Sequence, residues 1–323
     1  MLPGANILHR TDTQSRDEWV GERKRSIGAS NVAAMLGCDP WMTPLQLALS
    51  KRGGPGVEET RAMQRGTRME PLIRQWAEED TGCAIYTVPF LLANPRVPIL
   101  TANLDGLGVT ENGRPFVVEI KDSSHDLDVY AYIAEHGVPP SGSVGSAGYK
   151  YWLQVQSQLS ITGCDLACFS VADRATLHVY WWAPHAEMQA YIEDVARGWW
   201  KRHVVEGADP AAKGSDLAIL RAMCPPNEDR SPVDLTCDVA AANAMQDYEE
   251  AKAARLLVEK EVKGHKDRES DARARLEQLM GDAPVARVGD REATRKVISR
   301  DEYTVAASSY VRFGTRKAKK VRK

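Results

Sequence analysis

Asp105 and Glu119, fourteen residues apart, with Lys121 two positions further on, place two carboxylates and an amine within reach of one point. The stretch Val117-Val118-Glu119-Ile120-Lys121 reads as a buried strand. Side chains alternate along a strand, so Glu119 and Lys121 share one face and Ile120 takes the other. Upstream, Ala102-Asn103-Leu104-Asp105-Gly106 ends in a turn signal, and Gly108 to Gly113 reads as the connection returning the chain antiparallel. Such a hairpin sets Asp105 beside Glu119. Neighbouring carboxylates repel unless positive charge lies between them, and oxygen ligands without a His or thiolate cluster suit Mg²⁺ or Mn²⁺. Lys121 then serves as electrostatic partner of an attacking water, which is the constellation of a metal-dependent nuclease. In isolation the same spacing more often marks an exposed ion pair on an edge strand, so the reading depends on the surrounding segments.

Three of these bear on it. Arg23-Lys24-Arg25-Ser26-Ile27-Gly28-Ala29-Ser30-Asn31 precedes an apolar run, Val32 to Leu36, closed by Gly37. Ser30 or Asn31 fits an N-cap and Gly37 a C′ residue, and a helix N-terminus behind basic residues suits a phosphate. The plainer alternative is a capped core helix with a solvated basic lead-in. In Arg65-Gly66-Thr67-Arg68-Met69-Glu70-Pro71, followed by the stripe Leu72, Ile73, Trp76 and Ala77, the pattern predicts a helix with Pro71 in its first turn and Glu70 at its start. Finally, Tyr149 to Ile161 carries Tyr151, Gln154, Gln158 and Ile161 at helical spacing, with Trp152, Val155 and Leu159 on another face. Its two glutamines share a face, either at the surface or ordering a water and a phosphate.

Taken in order, RKRSIGAS (Arg23 to Ser30), RGTRMEP (Arg65 to Pro71), ANLDG (Ala102 to Gly106), EIK (Glu119 to Lys121) and YWLQVQ (Tyr151 to Gln156) resemble the lambda-exonuclease/YqaJ-type viral recombinase branch of the PD-(D/E)XK nucleases. The match covers roughly the first two-thirds of the chain. It implies a restriction-endonuclease-like α/β fold, a central mixed sheet flanked by helices. It also implies that Asp105, Glu119 and the Ile120 carbonyl hold a first Mg²⁺, with Glu70 serving a second ion or its waters and Mn²⁺ as a substitute. Lys121 would activate the nucleophilic water and Gln154 would position it. Arg23 and Ser30 fall where the family receives a terminal 5′-phosphate, with Asn103 and Tyr151 as further DNA contacts. Two departures stand out: Leu104 replaces the family's proline, and Asn103 replaces a small hydroxyl residue, which bears on end recognition.

The implied activity is Mg²⁺-dependent degradation of double-stranded DNA, 5′ to 3′, leaving 3′ single strands for phage-type recombination. The implied partners are duplex DNA, a single-strand annealing protein and further copies of the chain in a ring. The alternatives are a structure-selective or site-specific endonuclease, and a noncatalytic DNA-binding or assembly module on the same fold.

Composition fits such a protein. With 323 residues, 43% hydrophobic and 27% charged, the chain can bury a full core and is long enough for more than one domain. No segment approaches about 18 uninterrupted apolar residues and Met1 to Arg10 lacks a signal-peptide pattern, so a cytoplasmic location is expected, that of the host if the chain is phage-encoded. Six cysteines show no zinc-ribbon spacing and are expected to be reduced; no cysteine cluster surrounds the nuclease motifs. The net charge of −2 suits DNA poorly, but basic charge is concentrated in Arg10 to Arg25, Arg61 to Arg74 and a tail from Arg312 to Lys323.

Residues 1–220 are expected to form the nuclease domain and 221–323 an appended arm. Within the first, the sheet runs from about Ile85 through Lys121, then strands Ala167 to Ala172 and Leu177 to Trp182, and a helix Glu187 to Val204. Ser141 to Gly148 reads as a loop, either a gate or a plain insertion, and the Trp181-Trp182 and Trp199-Trp200 pairs as packing residues. In the second, Val239 to Met280 reads as a coiled-coil-like helix about 60 Å long if continuous, or a hairpin broken near Lys263-Gly264. Pro284 to Val297 reads as a small β-hairpin turning at Gly289-Asp290, and Tyr303 to Phe313 as extended.

Overall fold

A computed structural model describes residues 4–54, 60–174, 176–227 and 229–294. An edge strand, β1 (Asn6–Arg10), leads to α1 (Arg16–Lys24), whose start is fixed by a reciprocal capping box between Ser15 and Glu18. The two-residue strand β2 (Ile27–Gly28) turns into the short apolar α2 (Val32–Met35), and α3 (Pro44–Lys51) opens on a second capping box, Thr43 with Gln46. Asn31 occupies the N-cap of α2 but makes no capping bond; its side chain accepts from Lys51 instead. Gly37, at φ +76°, stands just past that helix in the left-handed region where glycine is favoured.

The next helix corrects an expectation. α4 spans Arg61–Thr81, capped by the Thr60 hydroxyl, so Glu70 and Pro71 lie in its interior rather than at its start. Its first turns, Arg61 to Arg68, carry little apolar periodicity, and a reading keyed to the Leu72, Ile73, Trp76 stripe begins the helix too late. Pro71 therefore removes one interior hydrogen bond.

A second correction concerns the sheet. The strands β3 (Ala84–Tyr86), β4 (Phe90–Ala93), β5 (Leu100–Ala102), β6 (Gly106–Val109) and β7 (Pro115–Asp122) do not form one sheet. A four-stranded sheet runs β1-β4-β5-β2, whereas β6 and β7 belong to a five-stranded sheet. The chain changes sheets at Asn103-Leu104-Asp105, and β6 then pairs antiparallel with β7, Gly106 opposite Val118.

After β7 comes α5 (Leu127–His136), which the sequence reading missed, and then α6 (Ala147–Thr162), capped by Ser146. Gly148 therefore lies in a helix, not in the Gly/Ser loop. Strand β8 (Ala167–Asp173) runs parallel to β7 with Phe169 opposite Glu119, and β9 (Thr176–Trp182) completes the order β3-β6-β7-β8-β9. The architecture is thus mixed α/β, with a mixed sheet flanked by helices. Phe116, Val118 and Ile120 pack toward α4 with Ile73 and Ala77; Val117, Phe169 and Val171 pack with Trp152, Val155 and Leu159 of α6. This alternation leaves Glu119 and Lys121 on the α6 side. Helices α7 (Ala186–Trp200), continued by a π turn through Val205, and α8 (Leu217–Met223) follow. Trp182 and Trp199 are buried packing residues, and Trp181 lies edge-on to Phe116.

The chain divides into two compact units, Met1–Glu228 and Asp229–Lys323, a boundary eight residues beyond the expected one. In the second, α9 (Val239–Met280) is continuous through Lys263-Gly264, supported by pairs one turn apart such as Arg255–Glu259 and Arg273–Glu277. The hairpin of β10 (Val285–Val288) and β11 (Arg291–Thr294) turns at Gly289, φ +63°. Tyr303 to Phe313 and the cationic tail lie outside the described residues. Among the described residues, no helix is long and apolar enough to cross a membrane.

Candidate active site

Glu119 is 1% exposed in the middle of β7, where an unsatisfied carboxylate would be costly. Lys121 Nζ and Gln154 Nε2 donate to its Oε1, and Gln158 Nε2 donates to Oε2 at 2.6 Å. The two glutamines, one turn apart on α6, are both buried. Even with these partners, burial and then the nearby Asp105 charge push the Glu119 carboxyl up to about 7, against the opposing pull of Lys121 and Gln158.

Asp105 sits at the corner between the sheets and is tied to β7 by the Ile120 N–H, which donates to its Oδ2 at 2.9 Å. The Lys121 ammonium touches Glu119, donates to the Ile120 carbonyl at 2.9 Å and stands 3.9 Å from Asp105 Oδ2. Burial alone would lower the Lys121 pKa, but the Glu119 and Asp105 charges outweigh it and hold the amine above its ordinary value. Oxygens from Asp105, Glu119 and Ile120 thus converge on one positive centre. That set, two carboxylates and a carbonyl, fits a hard divalent cation, with the ammonium standing where positive charge is needed. Among the described residues no group of three His, Cys, Asp or Glu gathers as a ready cation cage, so a backbone oxygen and water would complete the shell.

Glu70 takes a different place. It pairs with Arg74 Nη2 at 2.7 Å, and Arg74 Nε donates to the Asp105 carbonyl at 3.1 Å. Burial, then Asp105, raises its pKa, but it is not part of the pocket wall.

That pocket, about 340 Å³, joins most of the residues singled out in the sequence: Arg23, Ser30, Asn103, Asp105, Glu119, Lys121, Tyr151 and Gln154. Lys121 Nζ lies 5.1 Å from the Tyr151 ring centroid. Two further participants escaped the sequence reading. Gln158, expected at the surface or ordering a water and a phosphate, holds Glu119 directly; its spacing from Gln154 is the available signal. Lys51, at the end of α3, looks like a solvated last-turn cation. Counted from Leu47 and Ala48, however, it falls on the buried face, and it lines the pocket. Its Nζ donates to the Arg23 carbonyl at 2.6 Å and to Asn31 Oδ1 at 3.0 Å, with no carboxylate in ion-pair range among the described residues. Burial, reinforced by Arg23, lowers its pKa to about 7.

Residues 18–165, which contain every one of these groups, match the YqaJ-like viral recombinase domain. The chain is 25% identical over 304 residues to the uncharacterized protein YqaJ of Bacillus subtilis (strain 168), a match spanning 91% of this chain and 87% of that protein. Among solved structures it is similar to the alkaline exonuclease LHK-Exo from Laribacter hongkongensis, at 23% identity and TM-score 0.45, covering 59% of this chain and 93% of that one. A phage-related exonuclease from Haemophilus somnus 129PT is similar at 12% identity and TM-score 0.40, covering 56% and 96%.

Proposed function

We propose that this chain is a metal-dependent deoxyribonuclease that degrades double-stranded DNA from a 5′ end and leaves a 3′ single strand for recombination. The observation that carries the reading is the convergence of Asp105, Glu119 and the Ile120 carbonyl on the Lys121 ammonium, inside a pocket that also holds Arg23 and Ser30. The similarity of residues 18–165 to the YqaJ-like viral recombinase domain supports the recombination context.

Hydrolysis of a phosphodiester builds negative charge on the phosphoryl oxygens and the leaving 3′-oxygen. Bound Mg²⁺, one ion or two, supplies Lewis acidity for that charge. Asp105, Glu119 and the Ile120 carbonyl would hold the first ion, and Glu70 would serve a second or its waters. Lys121 orients the attacking water and offsets developing charge, while Gln154 positions water and scissile phosphate. Arg23, Ser30 and Asn103 line the same pocket and suit a terminal phosphate, and Tyr151 packs beside the amine. The exposed arginines Arg61, Arg65 and Arg68 on α4 suit the backbone of the incoming duplex.

Digestion of linear duplex DNA labelled separately at its 5′ and 3′ ends tests the reading. Release of the 5′ label in Mg²⁺ or Mn²⁺, abolished by EDTA, is expected, with closed circular duplex resistant. Cleavage of closed circles would indicate an endonuclease, and inertness toward every substrate a noncatalytic binding module; either replaces the proposal.

A further inference from the structure

Trp41, on the loop entering α3, is 60% exposed yet held on two sides. Asp39, whose carboxylate is almost fully buried, accepts the Trp41 N–H at 2.7 Å and the Met42 N–H at 3.1 Å, which pins the loop. The same carboxylate pairs with Lys150 Nζ at 2.8 Å, and that ammonium stands 4.5 Å from the Trp41 ring centroid, over the indole face. The indole is also tilted at 43° to the Tyr151 ring, centroids 6.3 Å apart. Lys150 and Tyr151 both line the catalytic pocket, and Tyr151 in turn touches Lys121. A large aromatic ring is therefore immobilised at the edge of a site that takes phosphate, with more than half of its surface left to solvent. Burial in the core does not account for this arrangement; a planar apolar ligand does.

We infer that Trp41 is a stacking platform for a nucleobase of the strand whose phosphate enters the pocket. The inference rests on the nuclease reading above and adds a contact to the base rather than to the backbone. Every base offers a π face, so the contact is tolerant of sequence. Lys150 serves twice, orienting the indole and adding positive charge beside the strand.

The test measures binding of the full chain to a 5′-phosphorylated single-stranded oligonucleotide in EDTA, so that no hydrolysis intervenes. A second oligonucleotide of equal length has abasic sites in place of its first bases. The wild-type chain is expected to bind the abasic strand roughly ten-fold more weakly. Trp41→Ala should bind both strands alike, at the weaker level, while Trp41→Phe keeps most of the discrimination. Trp41→Ala should also raise KM on duplex DNA more than it lowers kcat, and DNA should quench tryptophan emission less in Trp41→Phe than in the wild type. Retained discrimination in Trp41→Ala, with hydrolysis by the wild type intact, overturns the platform alone. Failure of the wild type to bind either strand also overturns the platform, and the nuclease reading falls with it only if linear duplex DNA is left undigested in Mg²⁺.

Discussion

Gln158 Nε2 lies 2.6 Å from Glu119 Oε2, while Gln154, one helical turn earlier, donates to the other oxygen of the same carboxylate. One buried charge is thus gripped from α6 by two amides and from β7 by Lys121, so that its position is set by two elements at once. Glu119→Gln removes that charge at nearly constant shape, and Lys121→Ala removes the amine at which the three oxygens meet. Each is expected to lower Mg²⁺-supported hydrolysis by at least about a thousand-fold, the scale lost when a preorganised charge leaves a transition state. Circular dichroism should show the fold retained, and near-normal turnover by either purified variant would refute the assignment.

Gln158 itself is expected to act through Glu119 rather than on substrate. Its Oε1 is buried without a hydrogen-bond partner among the described residues, so the side chain is held in place for the sake of its amide. Gln158→Leu leaves Glu119 Oε2 without that donor and should cost about 1.5–3 kcal/mol of stability in metal-free protein, measured by urea unfolding. The Mg²⁺ concentration needed for half-maximal activity should shift as well. A variant as stable as the wild type, with unchanged Mg²⁺ dependence, would show that the bond contributes nothing.

Much of this site was legible because strand and helix periods are rigid. The two-residue spacing of Glu119 and Lys121 predicts a shared face whatever the surrounding fold, and the four-residue spacing of Gln154 and Gln158 does the same on α6. What was not legible depends on long-range packing. Nothing near Lys51 in sequence announces that α3 presses it under the carbonyl of Arg23, and nothing near Asp105 announces that the chain changes sheets there. The start of α4 was lost because Thr60 and the arginines after it carry a cap but no apolar stripe.

The pH response of the metal-free protein follows from Glu119. Its carboxyl, ordinarily near 4.5, is raised to about 7 in the folded chain. Between those values the folded state holds a proton that the unfolded state has released, so this group's contribution to stability is full at low pH and is lost as pH rises through 7. Relative to Glu119→Gln, the wild-type Tm in EDTA should therefore fall between about pH 4.5 and 7 and level off above. Because a metal ligand must be deprotonated, stabilisation by Mg²⁺ should grow over the same interval. Thermal unfolding of both proteins from pH 5 to 8, with EDTA or Mg²⁺, checks this; parallel curves would refute it.

End recognition should separate Arg23 and Lys51 from the catalytic residues. Arg23 contributes a guanidinium to the pocket, and the buried Lys51 amine has the neutral Arg23 carbonyl and Asn31 Oδ1 as its described partners, so an incoming phosphate would give Lys51 a counter-charge. Arg23→Ala and Lys51→Met are each expected to slow digestion of 5′-phosphorylated duplex about ten-fold or more, with a much smaller effect on 5′-hydroxyl ends. The ratio of the two rates is the readout. Equal losses on both substrates would make these residues general backbone contacts or structural supports.

The hairpin that brings Asp105 to Glu119 depends on a residue with no side chain. Gly108 of β6 lies opposite Phe116 of β7, and a Cβ built at Gly108 would fall inside the Phe116 ring. That ring is fully buried and braced edge-on by Trp181, centroids 5.0 Å apart, so it cannot swing aside without disturbing the packing against α4. Gly108→Ala is therefore expected to destabilise the chain by about 1–3 kcal/mol, the usual cost of overpacking a closed core. The strain should also move β6 against β7 and loosen the bond from the Ile120 N–H to Asp105, which lies three residues before the glycine. Activity should then fall by more than the loss of folded protein explains, with part of it recovered in Gly108→Ala/Phe116→Leu, where the ring is gone. Urea unfolding together with turnover per folded molecule tests the point: an unperturbed single variant would mean that β7 yields locally and the hairpin does not set the distance between the two carboxylates.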